Sequence, residues 1–184
     1  MVLGGVAPAS LTLLLGAFSA FAFAPEIPGL DRPGLYHRVL AERRVSGPIV
    51  VLHSEHDTAL ATLYRAMAGS GEVGRGARLA ANSKRGAAAR QVEGVVKSAL
   101  GAVGARGVAA PGFDLLEAQR SGIPGYPIVN IDGSRVVCEK DPLVGAHRDI
   151  YHVEIARLVV LAAGLLAGGP DGLRPRPMSL LHAS

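Results

Sequence analysis

The sequence predicts an α/β protein with a mainly parallel sheet flanked by helices, and three features carry that expectation. Pro48–His53 (PIVVLH) is a continuous, β-branched apolar run, the pattern of a strand buried on both faces of a parallel sheet. A second run of the same kind, Pro127–Ile131 (PIVNI), lies some eighty residues on. Between and after them the apolar spacing turns helical, most clearly over Asp149–Leu166. Strand, helix, helix, strand, helix is the order of an α/β layer structure.

Taken along the chain, Ser10–Leu15 is a short β-compatible run closed by Gly16. The longer stretch Leu11–Ala24 imitates the apolar core of a signal peptide, but Met1–Ser10 holds no Lys or Arg. It reads as a buried strand plus turn, and a cytoplasmic location follows, with export as the lesser reading. Pro25–Gly34 is punctuated as a loop, and Tyr36–Arg44 fits a short polar helix. After the PIVVLH strand, a helical segment spans Thr58–Ala68, and Gly69–Gly76 is a glycine-rich connector without phosphate-loop spacing. Gly86–Leu100 fits a helix with Val92, Val95, Val96 and Leu100 on one face. Gly101–Gly125 is rich in Gly and Ala and broken by prolines, which predicts a surface excursion. Asp132-Gly133 between apolar runs predicts a hairpin into Arg135–Cys138, with Cys138 as a small buried hydrophobe. Asp141–His147 reads as loop, and the proline-bearing tail 168–184 as disordered, leaving 1–167 as one domain.

Composition narrows the function classes. The 184 residues are 49% hydrophobic and 18% charged, values of a globular chain. The net charge of +4 is spread thinly, and no basic run is interleaved with aromatics, so no nucleic-acid partner is indicated. A single cysteine excludes an intrachain disulfide. No apolar stretch reaches the roughly 20 residues of a membrane span.

In open α/β sheets, functional groups gather at the carboxyl edge of the strands. Two such places stand out: His53–Asp57, where a strand delivers carboxylates onto a tight turn, and Gly145-Ala146-His147, ahead of the last helix. The run from Pro48 to Asp57 (PIVVLHSEHD) resembles the acid-bearing strand of α/β-hydrolases, in which an apolar strand ends in a small residue, two variable residues and Asp; Ser54 stands where glycine is usual. The run from Gly145 to His152 (GAHRDIYH) resembles the histidine loop of a bacterial subset of that family, and Leu11–Phe23 resembles the strand that precedes the acid strand there. The order also agrees, acid first and histidine about ninety residues later.

The resemblance implies the C-terminal half of an α/β-hydrolase fold acting on a small-molecule ester or amide, with no cofactor. Asp57 would orient the imidazole, and His147 would take and return the nucleophile's proton. The residues alone leave Glu55 open as the acid and His152 as the base, although His152 falls within the helical pattern. His37, His53 and His182 read as structural or solvated.

The departure from the family is the nucleophile. No serine in the sequence has glycine two residues before and two after, so the Gly-x-Ser-x-Gly elbow is missing. The chain is therefore expected to be inactive alone, whether truncated, split from an upstream half, or degenerate. A half-sheet would also expose an apolar edge at Leu11–Leu15 or Pro48–His53, which invites self-association. Two other readings stand beside this one: a non-catalytic binding module, and a metal site built from His53, His56, Asp57 and His147 or His152.

Overall fold

In a computed structural model of the chain, the described residues are 7–64, 98–139, 141–142 and 144–166. They form a four-stranded sheet: β1 (Leu11–Leu14), β2 (Ile49–His53), β3 (Gly112–Asp114) and β4 (Ile128–Asp132). The strand order is β1-β2-β4-β3, and all three pairings are parallel. The α/β class expected from the sequence is what the chain adopts. The helices are α1 (His37–Ala41), α2 (Leu100–Val103), α3 (Leu115–Ser121) and α4 (Val153–Ala162), with a π-helical turn at Ala59–Leu63 and a 3-10 turn at Ala146–Arg148.

The side-chain alternation of β2 explains how the sheet is covered. Val50 and Leu52 join Val129 and Ile131 of β4 on one face, under Leu115 and Ala118 of α3 and Ile155, Leu158 and Ala162 of α4. Ile49 and Val51 join Ile128 on the other face, with Ala22, Phe23, Leu100 and Ala105. Both faces of β2 are thus apolar, as its unbroken run required. Asn130 is the polar exception: its Oδ1 accepts the Ala105 amide while its Nδ2 donates to the Ala105 and Ala110 carbonyls. A buried amide with its polar atoms paired costs little.

The structure corrects the sequence reading in four places. Gly101–Gly125 is not a surface excursion: it holds α2, β3 and α3, and Leu115 and Ala118 are core residues. The missed signal was Asp114, whose Oδ1 accepts the Leu116 and Glu117 amides as the N-cap of α3, with Glu117 in the first turn. The Asp132-Gly133 hairpin does not form. A two-residue hairpin of that type needs positive φ at both central residues, and Gly133 is not among the positive-φ glycines. Asp132 Oδ1 instead accepts the Ser134 amide and hydroxyl, and the Val136 and Val137 amides both donate to the Gly133 carbonyl. The chain coils here, Val137 enters the core, and Cys138 is exposed rather than buried in a strand.

Third, the last helix is shorter than Asp149–Leu166. It starts after His152, and of its apolar positions Val153 and Val159 face outward. Fourth, of the two segments expected at an edge, Leu11–Leu15 supplies one but Pro48–His53 does not: among the described residues β2 lies inside the sheet, and the edges are β1 and β3. The expectations for Gly69–Gly76, for residues 65–68 and 86–97, and for the tail 168–184 with His182 lie outside the described residues. Among the described residues no helix is long and apolar enough to cross a membrane.

Candidate active site

The carboxyl end of β2 opens directly into the acid turn. Ser54 is fully buried, and its hydroxyl donates to the Val137 carbonyl at 2.7 Å while accepting the His56 amide at 3.1 Å. A glycine could not make either bond, so the departure at this position has a structural use. The turn closes with the Asp57 amide on the Ser54 carbonyl. Asp57 Oδ1 then accepts the Leu60 amide at 3.0 Å, capping the π-helical turn that follows.

The second oxygen of Asp57 carries the long-range contact. His147 Nδ1 lies 2.7 Å from Asp57 Oδ2, across ninety positions of sequence. An ionised carboxylate only accepts, so against it Nδ1 donates the proton of this bond, and in a neutral imidazole the free electron pair is then left on Nε2. The Asp57 side chain is 0% exposed and that of His147 is 36% exposed. The carboxylate is sealed in, while the imidazole reaches the surface.

The histidine loop is fitted to the acid turn by its backbone. The Ala146 amide donates to the His56 carbonyl at 3.0 Å. Gly145 has φ +57°, and a Cβ there would lie 2.3 Å from Thr58 Oγ1 and 2.7 Å from the His56 carbonyl oxygen. Only glycine allows both the left-handed backbone and this approach. His147 itself sits in the 3-10 turn, whose end is closed by the Asp149 amide on the Ala146 carbonyl.

The other candidates separate from this pair. The Glu55 side chain is 78% exposed, and its carboxylate lies 3.8 Å from His56 Nε2. His152 stands at the N-terminus of α4, its Nε2 2.5 Å from Asp149 Oδ1. His53 lies at the end of β2 in register with Asp132. Burial pushes the His53 pKa down and Arg106 adds to that, against the opposing charge of Asp132. Asp132 is itself held low: burial raises it, but the Ser134 hydroxyl and amide and the charges of His53 and His56 outweigh that. Among the described residues no group of three or more His, Cys, Asp or Glu side chains is placed to hold a metal ion.

The sequence reading did not anticipate Asp149. Its Oδ2 accepts the Cys138 and Glu139 amides, each at 2.8 Å, while Oδ1 meets His152. Burial raises its pKa, but the Glu139 amide, the His152 imidazole and the Cys138 amide together lower it overall. A clue was present in the sequence, since Asp149 and His152 stand three residues apart next to His147. A cleft of about 530 Å³ opens beside this second pair, lined by Glu139, Asp141, Gly145, Arg148, Tyr151 and His152 among others. Neither Asp57 nor His147 lines it, so this cleft is not where the Asp57–His147 pair emerges.

No family model, no curated protein and no solved structure matches this chain.

Proposed function

We propose that the chain is an α/β-hydrolase-like protein of the serine ester and amide hydrolase lineage, in which Asp57 orients His147 and the nucleophile comes from outside this sequence. One observation carries the reading: a sealed carboxylate 2.7 Å from Nδ1 of a half-exposed imidazole, at the carboxyl edge of a parallel sheet. Such a pair is suited to general base catalysis. His147 Nε2 takes the proton of an attacking serine hydroxyl, Asp57 balances the imidazolium that forms, and the same proton passes to the leaving group. The residues that complete such a machine act as a unit, so without nucleophile and oxyanion donors the pair accelerates nothing appreciable. The chain alone is inactive on this reading, and its substrate is a small ester or amide.

Two labelling experiments with a fluorophosphonate probe test the proposal. On the chain alone no serine should be labelled, and stoichiometric labelling of any of its serines would show that a nucleophile is present after all. The second experiment coexpresses the chain with a segment, encoded in frame upstream or next to it, that carries a Gly-x-Ser-x-Gly elbow. The serine of that segment should then react, and His147→Gln should slow labelling by about a thousandfold or more. Labelling that ignores His147→Gln would end the hydrolase reading.

A further inference from the structure

Asp57 and His147 come from separate loops, and their contact depends on how those loops are held together. Three hydrogen-bonded links close a ring around it. Ser54 Oγ, at the start of the acid turn, donates to the Val137 carbonyl. The next amides along, those of Cys138 and Glu139, donate to Asp149 Oδ2 at 2.8 Å. Asp149 is two residues beyond His147, whose Nδ1 donates to Asp57 Oδ2, three residues beyond Ser54. The segment 136–139 is thus a strut between the acid turn and the histidine loop.

We infer that Asp149 is a positioning residue for His147: its carboxylate ties the histidine loop to the 136–139 strut and so sets the imidazole against Asp57. The Asp149 side chain is only 9% exposed, and all three of its contacts are charge-assisted or local to this junction. His152 holds the second oxygen at 2.5 Å, which fixes the carboxylate plane while Oδ2 serves both amides. The direct link from the Ala146 amide to the His56 carbonyl sets the backbone distance between the loops. Asp149 adds the second point of attachment that stops the 3-10 turn from rotating about the first. The inference rests on the acid–base reading only for what the pair is for; the contact itself is measurable without activity.

The measurement is the ring ¹H–¹⁵N spectrum of the histidines in the full chain. In the parent protein the Nδ1 proton of His147 should appear as a slowly exchanging signal that disappears in Asp57→Asn. Its absence from the parent would overturn the Asp57–His147 pair and the role of Asp149 together. Given that signal, Asp149→Ala should abolish it or speed its solvent exchange by about tenfold or more, with the backbone amides of β2 and β4 unchanged. Asp149→Asn should restore it, because an amide oxygen can still accept from Cys138 and Glu139 while the amide nitrogen donates to His152. An Asp149→Ala protein with an intact sheet and an undisturbed His147 signal would overturn the positioning role and leave the acid–base reading standing. Should Asp149→Ala not fold, Asp149→Leu decides in its place: it fills the same space but cannot accept the Cys138 and Glu139 amides, so the His147 signal should be lost or exchange faster over an intact sheet, and an undisturbed signal would overturn the role.

Discussion

Two Asp–His contacts lie within a few residues of each other, and they are built on opposite principles. Asp149 and His152 are three residues apart, and their contact closes inside one short segment. Asp57 and His147 are ninety residues apart, and their contact requires that β2 and β4 pair in one register and that both following loops rise at the same rim. The local carboxylate spends its second oxygen on the amides of a neighbouring turn. The distant one spends its second oxygen capping the start of its own helical turn. The difference teaches how a long-range geometry is secured: the distant pair meets across a direct backbone link between its loops, and the local pair adds a second hold on the loop that carries its histidine.

The comparison breaks most sharply at Gly145. Gly145→Ala puts a side chain into a left-handed backbone and against Thr58 and the His56 carbonyl, so the histidine loop must lift. The strain and overpacking together should cost about 3 kcal/mol. Chemical denaturation should show this loss, and the His147 Nδ1 proton signal should vanish while the fold of the sheet persists in what remains folded.

A smaller effect is expected at Ser54. Ser54→Ala removes the hydroxyl from between the Val137 carbonyl and the His56 amide, both in the buried junction. Leaving such groups unpaired should cost about 2 kcal/mol. Ser54→Gly should be no better, because the glycine usual in the resembling family brings no hydroxyl. A destabilisation below measurement in both variants would show that the strut is not anchored there.

The smallest effect separates the two regions by pH. The folded His53 has a lowered pKa, so the folded state binds fewer protons than the unfolded chain once the pH falls below the ordinary histidine value near 6.5. Its contribution to stability is full above that value and is lost as the pH falls through the lower folded value. Asp149 is also depressed, below an ordinary value near 3.8, so its contribution holds above that value and is lost only at more acid pH. Denaturation midpoints taken between pH 7 and pH 3 should therefore fall in two stages. His53→Gln should remove the first stage and leave the second, and a profile unchanged by that substitution would refute the assignment.

The two strands were legible for a simple reason: burial on both faces leaves an unbroken apolar run, and no other element of this length does so. β2 and β4 fall within a residue of the boundaries read from PIVVLH and PIVNI. β3 was not legible, because a three-residue edge strand (Gly-Phe-Asp) has no periodicity to detect. The hairpin was misread because Asp-Gly names a dipeptide with two local uses. The Asp132 side chain chose the one that caps its own turn, and packing of Val137 against the core fixed that choice. Of the site, position after the strands put Asp57 and His147 among the candidates, the α/β-hydrolase resemblance chose them over Glu55 and His152, and the structure brings them into contact. Asp149 was not among the candidates, since nothing in a sequence says which amides a carboxylate will meet eleven residues back.

What the sequence by itself determined is local: which segments are apolar enough to be strands, and which acids and histidines stand in the loops that follow them. The tertiary structure alone decided the strand order β1-β2-β4-β3, the coiling of 133–139 into a strut, and the meeting of Asp57 with His147. The physical reason is that backbone and side-chain preferences act over a few residues. Pairing across ninety positions is set by which faces the sheet must bury and by the hydrogen bonds that the buried junction must satisfy.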